Sequence, residues 1–385
     1  MRILLIGEYS GLHNSLKKGL ESLGHDVLII GSGDGFKNYP VDIKIDHSFH
    51  SPILKKIKVG FYKLTSFDLG AFEIYLRGRF LSKKLKGFDV VQLINEFSIK
   101  STPRLEIKFI KHLLKHNSKL FLLSTGIDYQ CMRYMMDGKL RYSVMTPYLK
   151  DPSLKSLYKY QLQYLTDDFK KLHDFIYKNV QGVIATDMDY HIPLLGHKSY
   201  LGLIPNPIKT DVIEYIPMEI SGKIKIFHGI NTASVIRKGN DYFTEALKII
   251  ATKYGDKVEI TYTHSLPYDE YIKVYDDCHI LMDQIYSFDQ GYNALEAMAK
   301  GKVVFTGAEQ EWLDYYDVEE DTIVINALPD IDYLVQKLSW LIEHPEKIME
   351  ISKKARAFVE REHNYKDIAE NYLAVWKSES RTSGH

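Results

Sequence analysis

The stretch GYNALEAMAKGKVVFTG, Gly291 to Gly307, reads as a helix start, a short helix, a glycine break and a buried strand. Ala294, Leu295, Ala297, Met298 and Ala299 make the helix small and apolar, yet Glu296 sits in its middle. A carboxylate in such surroundings is costly to bury unless donors bond it. The stretch therefore asks for a partner that offers hydrogen bonds to Glu296.

Working outward, strands and helices alternate in both halves of the chain. MRILLIGEYSG opens with a strand that ends in a glycine-flanked turn, followed by an amphipathic helix, a stop at Gly24 and a second strand. Asp89 to Ile94, Lys119 to Gly126 and Gln181 to Thr186 read as further strands, with a helix over Pro103 to Asn117. LIPNPIKTDVIEYIPMEISG, Leu203 to Gly222, is proline-rich without a helical period and reads as a crossover. KIKIFHG then restarts the pattern, a helix follows over Asn240 to Tyr254, and VEITYTH, CHILMD, KVVFTG and TIVINA are the next strands. This alternation predicts an α/β protein of two Rossmann-like, doubly wound domains. The boundaries fall at 1–203, a linker at 204–223 and a second domain at 224–364. The terminal Ser383–His385 is set aside as a scar.

Composition agrees with two soluble cores: 385 residues, 45% hydrophobic and 26% charged. Two cysteines, Cys131 and Cys278, give no disulfide framework and predict a reducing, cytoplasmic setting. The first strand starts at Arg2, so no leader peptide is expected, and no apolar run reaches membrane-spanning length. Net charge is zero but unevenly spread, and residues 51–119 carry 15 basic and 5 acidic side chains. Such asymmetry fits an anionic partner of the first half or a plain solvated basic face.

Ligands of doubly wound sheets bind beyond the carboxyl ends of strands. That rule selects, among others, the turns Gly7–Gly11, Ser124–Tyr129, Gly229–Gly239, His264–Tyr268 and Asp283–Gly291. In GINTASVIRKG, from Gly229 to Gly239, Arg237 and Lys238 lead into a helix. They can neutralise a diphosphate or form a solvated basic turn. Asp283 and Gln284 end a strand, and Gly291, Tyr292 and Asn293 open the helix of Glu296, where backbone amides can hold a phosphate or sugar hydroxyl. Glu296 facing the same crevice can accept two hydroxyl hydrogen bonds, as a ribose offers. The D-x-D strings Asp187–Asp189 and Asp330–Asp332 can hold Mg or Mn, but both follow turns where Asp is favoured anyway. No HExxH, P-loop or G-x-G-x-x-G is present.

The pattern G-x2-A-L-E-A-M-A-x-G-K-V, Gly291 to Val303, resembles the donor-site signature of the retaining glycosyltransferases of family 4, which have the GT-B fold. IPNPI (Ile204–Ile208), HG…RKG (His228–Gly239) and GEYSG with GLESLGHDV resemble that family's domain entry, diphosphate clamp and first loop and helix. The resemblance implies two Rossmann-like domains across a crevice, with a closing helix at 365–382 that crosses back to the first. It implies a nucleotide diphosphate sugar as donor, with Glu296 on the ribose, Arg237 and Lys238 on the diphosphate, and backbone near Gly11 from the first domain. The implied activity is retaining, hexosyltransferase-type transfer to a glycan or lipid-linked glycan hydroxyl, in bacterial surface polysaccharide synthesis. No cofactor, no metal and no nucleic acid enter that reading.

Two departures qualify the likeness. The family has a second Glu eight positions before Glu296, and here that position is Phe288; Asp289 and Asp283 are the candidates to replace it. Asp128 in TGID corresponds to a residue that touches the donor sugar or acceptor, or it is simply a helix cap. Two rivals remain open: a nucleotide-sugar-binding protein without turnover, and a GT-B nucleotide-sugar epimerase. The basic first half, with Lys55, Lys56 and Lys58 interleaved with Phe61 and Tyr62, predicts either peripheral contact with an anionic inner membrane face or a soluble acceptor.

Overall fold

The computed structural model describes residues 1–33, 39–266 and 268–378, with the backbone alone at 268 and 269. Pro267 of the expected turn, the 379–382 end of the expected closing helix and Ser383–His385 lie outside the described residues.

Seven strands build the first sheet: β1 (Arg2–Ile6), β2 (Asp26–Gly31), β3 (Ile43–Lys44), β4 (Val90–Leu93), β5 (Lys119–Ser124), β6 (Gly182–Ala185) and β7 (Tyr200–Leu203). Their order is β3-β2-β1-β4-β5-β6-β7, all parallel. Five strands build the second: β8 (Ile224–Ile230), β9 (Val258–His264), β10 (Ile280–Met282), β11 (Val303–Thr306) and β12 (Ile325–Asn326), in the order β12-β11-β10-β8-β9. The central strands are apolar without alternation because helices cover both faces: Val90–Leu93, Ile280–Met282 and Val303–Thr306 are buried at every position. Strand order reverses between β1 and β4 in the first sheet and between β8 and β10 in the second, the points at which such sheets open a crevice.

The closing helix, Tyr365–Lys377, belongs to the core of the first sheet. Its Ile368, Ala369, Tyr372, Leu373 and Trp376 are buried with Leu12, Leu16 and Leu20 of the helix Leu12–Ser22. A Cβ at Gly19 would lie 2.8 Å from Ala369 Cβ, so glycine permits this close approach. Each large apolar side chain buried there contributes about 1.5–3 kcal/mol. The two crossovers run side by side: Ile208 N–H donates to His363 O at 2.7 Å, and Tyr365 N–H donates to Ile208 O at 3.1 Å. Arg356 secures them by donating to the carbonyls of Thr210 (2.9 Å), Ile213 (2.8 Å) and Ala299 (2.7 Å).

Candidate functional site

A cavity of about 600 Å³ opens where β8, β9 and β10 end, at the reversal of strand order in the second sheet. Gly229 and Asn231–Ala233 enter from β8, Thr263 and Ser265 from β9, and Asp283 and Gln284 from β10. Gly291, Tyr292 and Asn293 bring the start of the helix Tyr292–Ala299, and Ser10 reaches in from the first domain.

A chain of hydrogen bonds fixes the polar wall. Lys238 donates to Asp283 Oδ1 at 3.1 Å, and Asn293 Nδ2 donates to the same oxygen at 3.0 Å. Tyr271 OH donates to Asn293 Oδ1 at 3.1 Å, and Thr306 Oγ1 to Asp283 Oδ2 at 3.4 Å. Asp283 is 3% exposed, so this carboxylate needs those partners. Its lysine, with a side chain 35% exposed, presents the only cation among the described residues that line the cavity. Gly239 (φ 68°) turns the chain from the short helix Val235–Lys238 into Asn240–Tyr254, and Lys238 O accepts from Ile285 N at 2.9 Å. The lysine turn is thus tied to the segment after β10. Gly291 caps the helix Tyr292–Ala299 without a side-chain bond to the first amides. The Gln284 carboxamide nitrogen lies 3.9 Å from where a Gly291 Cβ would stand.

The other expected site residues are placed differently. Glu296 is half-buried beyond Asn293 on the same helix and is not among the cavity-lining residues. Burial first, and then the Glu296 charge, hold the Tyr275 phenol well above its usual range. Arg237 does not line the cavity: its Nη2 donates to Ala233 O at 2.9 Å. Its charge bears on Tyr158 of the first domain, a phenol that burial lifts to about 12 while the guanidinium opposes. The Gly11 amide is already engaged, donating to Glu8 Oε1 at 2.8 Å, so the first-domain turn reaches the cavity through Ser10 instead.

Asp128 is the helix cap of the two readings. It is 0% exposed, its Oδ1 accepts from Cys131 N at 2.7 Å and its Oδ2 from Ser124 Oγ at 2.7 Å. Asp289 points away from the cavity into the seam between the domains, where Met188 N and Gln290 N donate to it at 3.0 and 2.6 Å. Phe288 is 1% exposed and packs its ring 5.6 Å from that of Tyr142, with the Arg141 guanidinium 4.8 Å above it. An aromatic pillar therefore fills the position of the family's first Glu. Asp330 caps the helix Ile331–Glu343 through Tyr333 N at 3.0 Å. Among the described residues, the group that could hold a metal is Asp46, His47 and His50, in the loop after β3. The Lys58 ammonium stands 3.3 Å from His47 Nε2 and Phe49 N lies 3.2 Å from Nδ1, so whichever ring nitrogen carries the lone pair faces a protein donor instead of a metal.

Sequence reading did not single out Ser10, Thr263, Ser265 or Tyr271. The turns after β1 and β9 were the available signal for the first three, whereas Tyr271 reaches the cavity from the helix Tyr268–Asp277.

The seam itself is acidic. Asp189 of the first domain accepts from Ser287 Oγ at 2.5 Å and Phe288 N at 3.1 Å, reciprocating the Asp289–Met188 bond. Arg141 spans to Glu309 and Glu311 at 2.6 Å each, and Tyr142 OH donates to Glu309. Burial raises the carboxyls of Asp187, Asp189 and Asp289, and for Asp187 the two neighbouring carboxylates add to it. Burial also lifts Glu106 to about 7.

These groups bind protons in the folded chain that the unfolded chain releases. Their contribution is full at low pH and is lost as pH rises from the ordinary carboxylate range through the elevated values. His13, His228 and His363, lowered by burial to about 4 from 6.5, act oppositely: their contribution is lost as pH falls between those values. The two windows overlap and oppose each other below about pH 6.5; above it the histidines are neutral in both states and the raised carboxyls alone titrate, so thermal stability is expected to fall from neutral toward alkaline pH, each kcal/mol moving Tm by roughly 2–4 °C. Asp289→Asn is expected to make that decline shallower. A Tm that climbs steadily from neutral to alkaline pH contradicts this account.

Comparison with known proteins follows the same geometry. Residues 233–374, which carry most of the cavity wall, match the family model Glyco_trans_1_2, described as glycosyl transferase-like. Comparison with curated proteins gave no match. Among solved structures, Anabaena Alr3699/HepE in complex with UDP-glucose superposes with a TM-score of 0.59 at 12% identity, over 98% of this chain and 100% of that one. A glycosyltransferase from Rickettsia africae ESF-5 gives 0.55 at 14%, over 99% of each chain. A Listeria monocytogenes protein assigned as a UDP-N-acetylglucosamine 2-epimerase gives 0.54 at 10%, over 98% and 95%. The fold is the two-sheet α/β, GT-B-like fold of such glycosyltransferases, and the stretch that builds the cavity is glycosyl transferase-like in sequence.

Proposed function

We propose that the protein transfers a sugar from a nucleotide diphosphate sugar to a glycan or lipid-linked glycan hydroxyl, with retention of anomeric configuration and without a metal. One observation carries the reading: Lys238 and the helix start at Gly291 face one cavity at the strand-order reversal of the glycosyl transferase-like stretch. A diphosphate is the ligand that suits a lone ammonium beside a helix N-terminus. As the glycosidic bond breaks, the sugar ring becomes oxocarbenium-like and the departing diphosphate gains negative charge. Lys238 and the amides after Gly291 stabilise that charge. The acceptor hydroxyl attacks from the face the diphosphate leaves, and its proton passes to the leaving phosphate oxygen. Asp128 and Asp289, both engaged with backbone amides, take no part.

The test combines binding and turnover. Titration calorimetry with UDP-glucose as the first probe is expected to give binding. Glu296 stands just beyond the lining on the helix of Asn293, and this reading has its carboxylate meet the ribose in the bound state, so Glu296→Ala is expected to weaken binding about ten- to a hundredfold, the loss of one charged hydrogen-bond pair. Transfer is expected to persist in EDTA; loss in EDTA with recovery on Mg or Mn addition overturns the metal-free reaction. Epimerised donor formed without an acceptor selects the epimerase reading, which the Listeria neighbour favours. Binding without either product selects the reading without turnover, which the Phe288 pillar favours.

A further inference from the structure

We propose that the helix Pro52–Thr65 docks the first domain onto an anionic phospholipid surface. The helix is 14 residues long and none of its residues is buried. A helix of this length holds its shape in a folded protein by burying an apolar face, and this one buries none. Its apolar side chains are large and open: Ile53 is 73% exposed, Ile57 53%, Tyr62 53% and Leu64 87%. Ile53, Ile57 and Leu64 recur at helical spacing and share one stripe. Phe67, 43% exposed just past the helix, extends the apolar surface, with its ring 5.3 Å from Phe72 of the next helix, Leu69–Phe80.

Charge identifies the occupant. Lys55, Lys56, Lys58 and Lys63 lie on this helix, which holds no Asp or Glu. Lys58 is committed to the protein, 3.3 Å from His47 Nε2. A second copy of the chain would set these lysines against their own kind, whereas anionic headgroups neutralise them and the acyl boundary takes the isoleucines and leucine. No helix among the described residues is long and apolar enough to cross a membrane, so the attachment is peripheral and reversible.

Topology gives the surface a purpose. The helix is reached by the loop that leaves the carboxyl end of β3. In a parallel sheet that is the same end at which the turn after β1 brings Ser10 to the cavity. A bilayer held there lies at the end of the sheet where the crevice opens. The docking itself does not depend on the transferase reading.

Vesicle co-sedimentation of the full chain tests it. Binding is expected to phosphatidylcholine vesicles containing phosphatidylglycerol at low salt, with loss at high salt and none to phosphatidylcholine alone. Lys55/Lys56/Lys63→Glu is expected to weaken binding about a hundredfold or more. Ile53/Ile57/Leu64→Ser is expected to weaken it at least tenfold. These side chains are exposed, so both variants are expected to keep the wild-type Tm and nucleotide affinity. Absence of binding to anionic vesicles at low salt overturns the proposal, as does binding that neither variant weakens. A dimer in light scattering that the serine variant dissolves, without vesicle binding, assigns the face to a second copy and overturns it equally.

Discussion

Replacing Lys238 with alanine is expected to slow sugar transfer about 10²–10³-fold while the chain stays folded, the loss typical of one preorganised group removed from a developing anion. The reason is local. Lys238 is the only cation among the described residues lining the cavity, and the bond that breaks there releases a diphosphate. Its charge matters most in the transition state, so turnover is expected to fall more than nucleotide affinity. Single-turnover rates at saturating donor separate the two. Arg237→Ala is the control, because its guanidinium is spent on Ala233 O and stands outside the lining; it is expected to cost less than about tenfold. Equal losses in the two variants would mean that Arg237 swings into the cavity when donor binds. A wild-type rate for Lys238→Ala would move the clamp to the amides after Gly291.

That contrast between neighbours shows where sequence stops informing. The central strands were legible because burial on both sides writes continuous apolar runs such as Val90–Leu93 and Val303–Thr306. β3 is two residues long and β7 is half-exposed along its length, so neither leaves a run or an alternation to read. The donor-side block was legible because its glycines and small residues mark a helix start against a sheet. Arg237 and Lys238 are adjacent in a basic turn, and only the packing of Gly239 against Ile285 decides which of them faces the cavity. Asp128 and Asp289 carried a different ambiguity. Asp128 precedes a helix and reads equally as a cap and a catalytic candidate, and Asp289 as a replacement for the Glu missing at Phe288; in the fold the first caps its helix and the second bonds Met188 across the seam, partners that local spacing does not show. The aromatic pillar at Phe288 depends on Arg141 and Tyr142, which arrive from the other domain more than a hundred residues upstream, beyond the reach of local spacing.

The pairing of Lys238 with Asp283 carries the second large effect. The ammonium rests on a carboxylate that is 3% exposed and also accepts from Asn293 and Thr306. Asp283→Ala removes the acceptor of all three groups, and breaking such a pair is expected to cost about 3 kcal/mol of stability, with the exposed lysine keeping the loss at the lower end. Lys238→Ala costs less, because Asn293 and Thr306 still donate to the carboxylate it leaves. A double-mutant cycle measured by denaturant unfolding is expected to give a coupling of about 1–2 kcal/mol between the two residues. Repeating the cycle with saturating nucleoside diphosphate makes the functional argument. If the ammonium turns from Asp283 toward the phosphates, part of its interaction moves to the ligand and the coupling shrinks. The same exchange predicts that Asp283→Asn, which keeps an oxygen for Asn293 and lets its amide nitrogen donate to the Thr306 hydroxyl, frees Lys238 and leaves diphosphate affinity unchanged or higher. A coupling that is the same with and without nucleotide, together with an Asp283→Asn variant that no longer binds diphosphate, would assign Asp283 to holding the ligand rather than poising the lysine.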